Sequence, residues 1–119
     1  AFLKDAQTRK NLTILCDTLV SRIEFEGRRA AGVDVIQAGE RRRIAARREV
    51  ILSAGVFASP AILMRSGIGD GAELRAHGIE VLHHAPQVGR KLQDHITSPV
   101  QYSTPTTIPY GMSWRTLPW

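Results

Sequence analysis

A chain of 119 residues with 43% hydrophobic and 23% charged residues can bury one modest core, which excludes disorder of the chain as a whole. No apolar run approaches the roughly 18 residues that cross a bilayer, and the start Ala1-Phe2-Leu3-Lys4-Asp5 lacks the apolar centre of a signal peptide. A net charge of +5 admits an anionic partner, while the single Cys16 excludes an internal disulfide and fits a reducing compartment such as the cytoplasm without requiring one.

In chain order, Asn11 to Cys16 and Thr18 to Glu26 are rich in Thr, Ile, Leu and Val, and Leu19, Ile23 and Phe25 recur at period two, the pattern of half-buried strands. Glu26-Gly27-Arg28 reads as a turn. Ala30 to Ile36 begins a second extended run, Ala38-Gly39-Glu40 punctuates again, and Arg41 to Arg47 forms a polar third run. Consecutive strands joined by short turns predict an antiparallel meander. Five of the sixteen basic residues gather at Arg41, Arg42, Arg43, Arg47 and Arg48. Without aromatic stacking residues, a zinc pattern or a helix-turn-helix, this cluster reads as a solvated edge strand, and no nucleic-acid partner is expected.

The texture changes at Glu49 to Gly55, where apolar residues run without alternation into Ser53-Ala54-Gly55. That is the signal of a strand covered on both faces, so Val50 to Ser53 is expected to be a parallel-sheet strand. Ser59 as N-cap with Pro60 at the first helical position predicts a short helix to Ser66, ended by Gly67 in a left-handed conformation. Asp70 with Glu73 imitates a capping box, and Gly78 closes this second short helix ahead of Ile79 to Leu82. Ala85 to Gln93 is an extended connector between two units, Ile96 to Thr104 can begin a strand of the next, and Pro105, Pro109, Gly111 and Pro118 forbid a long element beyond. The fold class is thus α/β: a meander, one parallel strand and two short helices over residues 1–95, with residues 96–119 opening a second domain.

Ligands of an open α/β sheet bind beyond the carboxyl ends of its parallel strands, where small residues let a cofactor approach the backbone; Ser53, Ala54 and Gly55 occupy such an end. The helix start that follows can aim N–H groups at an anion, less the one that Pro60 removes. A tight strand-to-helix turn explains the same residues. Asp94 and His95 join an acid and an imidazole beside a Gly-containing connector, but neighbours in extended chain point apart, which favours lining or structural work over proton transfer. His83 and His84 cannot readily face one metal ion. No Gly-x-Gly-x-x-Gly stands between a strand and a helix.

Gly55-Val56-Phe57-Ala58-Ser59-Pro60-Ala61-Ile62-Leu63-Met64-Arg65-Ser66-Gly67-Ile68-Gly69 resembles a signature of the glucose-methanol-choline (GMC) flavoprotein oxidoreductases, departing only at Val56, where that signature has a small residue. Pro86-Gln87-Val88-Gly89-Arg90-Lys91-Leu92-Gln93-Asp94-His95 is similar to a second family segment, with Lys91 in place of Asn. The resemblance implies the later part of an FAD-binding, Rossmann-like domain. It implies that Ser53 to Gly55 pack at the flavin crevice, that Val20 meets the adenine end of FAD through its backbone, and that Asp94 and His95 lie near the flavin. It further implies hydride transfer from a small alcohol, choline or another primary alcohol, to the flavin. The family's catalytic histidine has no counterpart after His95, so an internal segment of a longer protein, without the catalytic base, is expected. Two rivals stay open: a small basic module for an acidic partner, and a product that keeps the motifs without function.

Overall fold

The computed structural model describes residues 3–100. Strands β1 (Thr18–Glu26), β2 (Arg29–Gln37) and β3 (Glu40–Ala45) form an antiparallel sheet in the order β1-β2-β3, the meander expected from the sequence. The β2–β3 hairpin turns through Ala38 and Gly39 at φ 51° and 83°, the pair of positive values that a type I′ turn needs. Gly32 permits close approach of the strands, since a Cβ there would collide with the Ile44 carbonyl oxygen.

Two register shifts interrupt the β1–β2 ladder: Ser21 of β1 is extra between Val20 and Arg22, and Ala31 of β2 is extra opposite Glu24 and Phe25. A bulge inserts one residue and reverses the alternation of faces. Leu19, Ile23 and Phe25 therefore do not share a face: Ile23 pairs with Val33 and is 7% exposed, whereas Leu19 pairs with Ile36 and is 61% exposed. Val20 pairs with Val35, placing it on the face that carries the core.

Helix α1 (Gly55–Arg65) begins well before Ser59, and Pro60 lies inside it. Ser59, rather than capping from outside the helix, turns its hydroxyl back to accept the Ala54 N–H at 3.0 Å, while Pro60 leaves the Val56 carbonyl without its helical donor. At the other end the expectation holds: Gly67 is left-handed at φ 84°, and a Cβ there would stand 2.5 Å from the Glu80 carbonyl oxygen. Helix α2 (Gly71–Ala76) is capped by Asp70, whose carboxylate accepts from Ala72 N–H at 2.9 Å and Glu73 N–H at 3.4 Å. Those bonds hold the Asp70 carboxyl below its ordinary value of 3.8. The capping box is only half made, because Glu73 pairs with Arg90 at 3.0 Å instead.

The parallel pairing joins β4 (Ile68–Gly69) to β5 (His83–His84), on either side of α2. Val50 to Ser53, expected as the parallel strand, forms no ladder, and Ile51 is 78% exposed. A strand needs a neighbour to satisfy its main chain, and the described residues offer none there. Asn11 to Cys16 is likewise unpaired, interrupted from β1 by Asp17 at φ 50°. Past a turn at residues 86–89 the chain has no regular structure to residue 100; this fits the connector expected over Ala85 to Gln93 but not the strand expected from Ile96, which pairs with nothing over Ile96 to Val100, while residues 101–104 of that strand and the proline-rich stretch lie outside the described residues.

The core lies between the sheet and α1. Ile23, Ala31, Val35 and Ile62 are buried there or beside it, and Leu74 of α2 is 1% exposed. Ser66 is buried with them, accepting the Ile23 N–H at 2.8 Å and donating to the Ile62 carbonyl at 2.6 Å.

Candidate functional site

Gly55 opens α1 at φ 85°, and a Cβ on it would meet nothing within 4 Å, so the backbone is open to a ligand. The first turn has no acidic residue and no side-chain cap. Of the N–H groups that a helix start leaves without intrahelical partners, that of Ala54 is taken by Ser59, leaving those of Gly55, Val56 and Phe57. Pro60 removes none of these donors, contrary to the expectation, because the helix starts earlier. Val56 and Phe57 are 60% and 75% exposed, so the turn presents bare backbone and apolar side chains together.

A groove of about 430 Å³ runs along this face of α1, lined by Val56, Phe57, Pro60 and Met64 on the helix and by Gly89 to Gln93 opposite. The connector is drawn there by packing and by charge. Gly89, left-handed at φ 74°, would place a Cβ 3.4 Å from the Met64 sulfur, and Arg90 is held by Glu73 of α2. Lys91, in the position where the resembling segment has Asn, adopts φ 61°, a conformation that Asn accepts more easily than Lys.

Ser53 to Gly55 lead into the groove and Asp94 and His95 follow directly from it, so both sets flank one feature. Asp94 does not orient the imidazole of His95: its Oδ1 accepts the backbone N–H of His95 at 2.8 Å. Val20 stands apart, near the far end of α1, where its carbonyl oxygen accepts from Arg65 at 3.4 Å. Eleven helical residues separate the two regions by about 16 Å at about 1.5 Å per residue, a spacing suited to an elongated ligand. Sequence reasoning missed Arg65 and the internal role of Ser66. The β1 residues that both hold lie more than 40 positions away in the chain, and no local pattern marks them.

A cleft of about 460 Å³ between the β1–β2 turn and β4–β5, lined by Phe25, Arg28, Ile68, Leu82 and His83, contains none of the candidate residues. His84 is engaged structurally, its Nδ1 accepting the Gly71 N–H at 3.0 Å. In the basic cluster, Arg42 donates to Gln37 and Arg43 to Glu26, as on a solvated edge. Among the described residues no helix is long and apolar enough to cross a membrane.

The architecture is mixed α/β, with an open helix start beside a glycine-bearing connector. The chain belongs to the GMC oxidoreductase family, whose model matches residues 1–97. It is 43% identical over 119 residues to an oxygen-dependent choline dehydrogenase of Chromohalobacter salexigens, covering 98% of this chain and 21% of that protein. It is 48% identical over 101 residues to mitochondrial choline dehydrogenase of Homo sapiens, covering 85% and 17%. The chain thus spans about a fifth of the length of these curated relatives. Among solved structures, pyridoxine 4-oxidase from Mesorbium loti matches with a TM-score of 0.67 and 38% identity over 71% of this chain and 16% of that one. Formate oxidase matches with a TM-score of 0.63 and 40% identity over 65% and 14%.

Proposed function

We propose that this chain is a segment of an FAD-dependent oxidoreductase that oxidises the CH–OH group of a small alcohol, choline or another primary alcohol, and that it forms a wall of the flavin site. The observation that carries this reading is the first turn of α1: uncapped, free of carboxylates and begun by an open glycine backbone. It fits an anionic cofactor, since a helix N-terminus favours negative charge and offers N–H donors. When bound, the flavin supplies the hydride acceptor, and the protein's part is to bind, orient and exclude competing reactions.

In this reading Ser53, Ala54 and Gly55 let the cofactor approach the backbone, and Val20 meets its adenine end through main-chain groups. Asp94 and His95 border the flavin side, where the connector leaves for a substrate domain. The Asp94 carboxylate, already bonded to the main chain, fixes the connector rather than drawing a proton through His95. The base that takes the hydroxyl proton comes from residues outside this chain.

Val56→Glu tests the reading, because it sets a carboxylate in the first turn at an exposed position, with Val56→Gln controlling for polarity. In the complete protein encoded by the reading frame that contains these residues, depleted of flavin, Val56→Glu is expected to weaken FAD binding about fivefold relative to Val56→Gln, as a nearby like charge costs on the order of 1 kcal/mol. Equal affinities for the two variants would remove the α1 turn from the cofactor site.

A further inference from the structure

Arg65 ends α1 with an exposed side chain, yet its guanidinium is committed to the main chain of a distant strand: Nε donates to the Ser21 carbonyl at 2.7 Å and Nη2 to the Val20 carbonyl at 3.4 Å. In a regular strand consecutive residues face opposite ways, and one guanidinium does not reach two successive carbonyls from the same side. The register shift between Val20 and Arg22 supplies the exception, since the extra residue, Ser21, bends the strand and breaks the alternation. Ser66, the residue that caps the end of α1, adds a second tie, accepting the Ile23 N–H at 2.8 Å. From the β2 side the Ser21 hydroxyl donates to the Asp34 carbonyl at 3.1 Å. The bulge is therefore held by α1 on one side and by β2 on the other.

We propose that Arg65 and Ser66 are positioning residues for the adenylate half of FAD, locking the bulge that presents the Val20 main chain. The proposal rests on the reading of Val20 given above. The planar fork of Arg65 spans both carbonyls in a way that the compact ammonium of a lysine does not. Through these two residues, the helix whose first turn faces one end of the cofactor fixes with its last turn the strand that meets the other end.

FMN, which lacks the adenylate, separates this role from a general structural one. In the flavin-depleted complete protein, Arg65→Met is expected to lower affinity for FAD about tenfold, the loss of charge-assisted hydrogen bonds at an exposed site, and to leave affinity for FMN unchanged. Arg65→Lys is expected to fall between Arg65→Met and the parent, and Ser66→Ala to show the same selective loss. Equal losses for both flavins in Arg65→Met, or none for either, would overturn the proposal alone. A parent protein that binds FMN as tightly as FAD would overturn the Val20 reading and the proposal with it. Should Ser66→Ala fail to fold, the exposed Arg65 variants decide the matter.

Discussion

Asp70 shows how a single side chain stabilises a short helix and makes that stability depend on acid. Its carboxylate accepts the Ala72 and Glu73 N–H groups, which lowers its pKa from the ordinary 3.8. A depressed folded-state pKa contributes stability that is fully present above the unfolded value and is lost as pH falls through the folded one. The α2 cap is thus intact at neutral pH and released only as pH falls through that lowered value. Asp70→Asn keeps an acceptor oxygen but cannot titrate over this range. Its thermal midpoint is expected to decline less steeply than the parent's between about pH 5 and pH 2; parallel declines in the two proteins would refute this origin. This cap was readable from Asp70, Glu73 and Gly78 because every partner lies within one turn. The unusual backbone of Lys91 was not, since φ 61° follows from its docking against α1 rather than from its neighbours.

At the scale of elements, the meander was readable for the same reason: two-residue turns at Gly27-Arg28 and Ala38-Gly39 fix strand pairing locally. The Ser21 bulge of β1 was not readable. It answers to Arg65 and Ser66, so period two assigned one face to Leu19 and Ile23, which lie on opposite ones. The expected start of α1 at Ser59 failed because a Ser-Pro pair has a strong local meaning, yet here the helix extends back to Gly55 and Ser59 bonds Ala54 instead. Gly32 provides a test at this scale. A methyl group there would press on the Ile44 carbonyl across the β2–β3 ladder, so Gly32→Ala is expected to destabilise the complete protein by about 1–3 kcal/mol in denaturant unfolding, the usual range for forced overpacking. An unchanged midpoint would mean that the two strands separate at little cost.

Across the whole molecule, apolar side chains remain on the surface in quantity: Ile51, Phe57, Leu92 and Ile96 are 78%, 75%, 59% and 99% exposed. The radius of gyration is 22.0 Å, against roughly 13 Å for a compact domain of about 100 residues. Of these exposed side chains, Phe57 stands on the bare first turn of α1. The candidate site was partly visible in the sequence because Ser53 to Gly55 and Asp94-His95 sit in motifs. What the motifs do not convey is that α1 links the groove at its first turn to the Val20 bulge at its last. The most direct test of the central claim is to purify the complete protein encoded by this reading frame, identify any flavin released on denaturation, and mix the native protein with choline and a series of primary alcohols without oxygen. The account predicts bound FAD whose oxidised absorbance is bleached by at least one of these alcohols. A protein that binds no FAD, or holds FAD that none of them reduces, would contradict it.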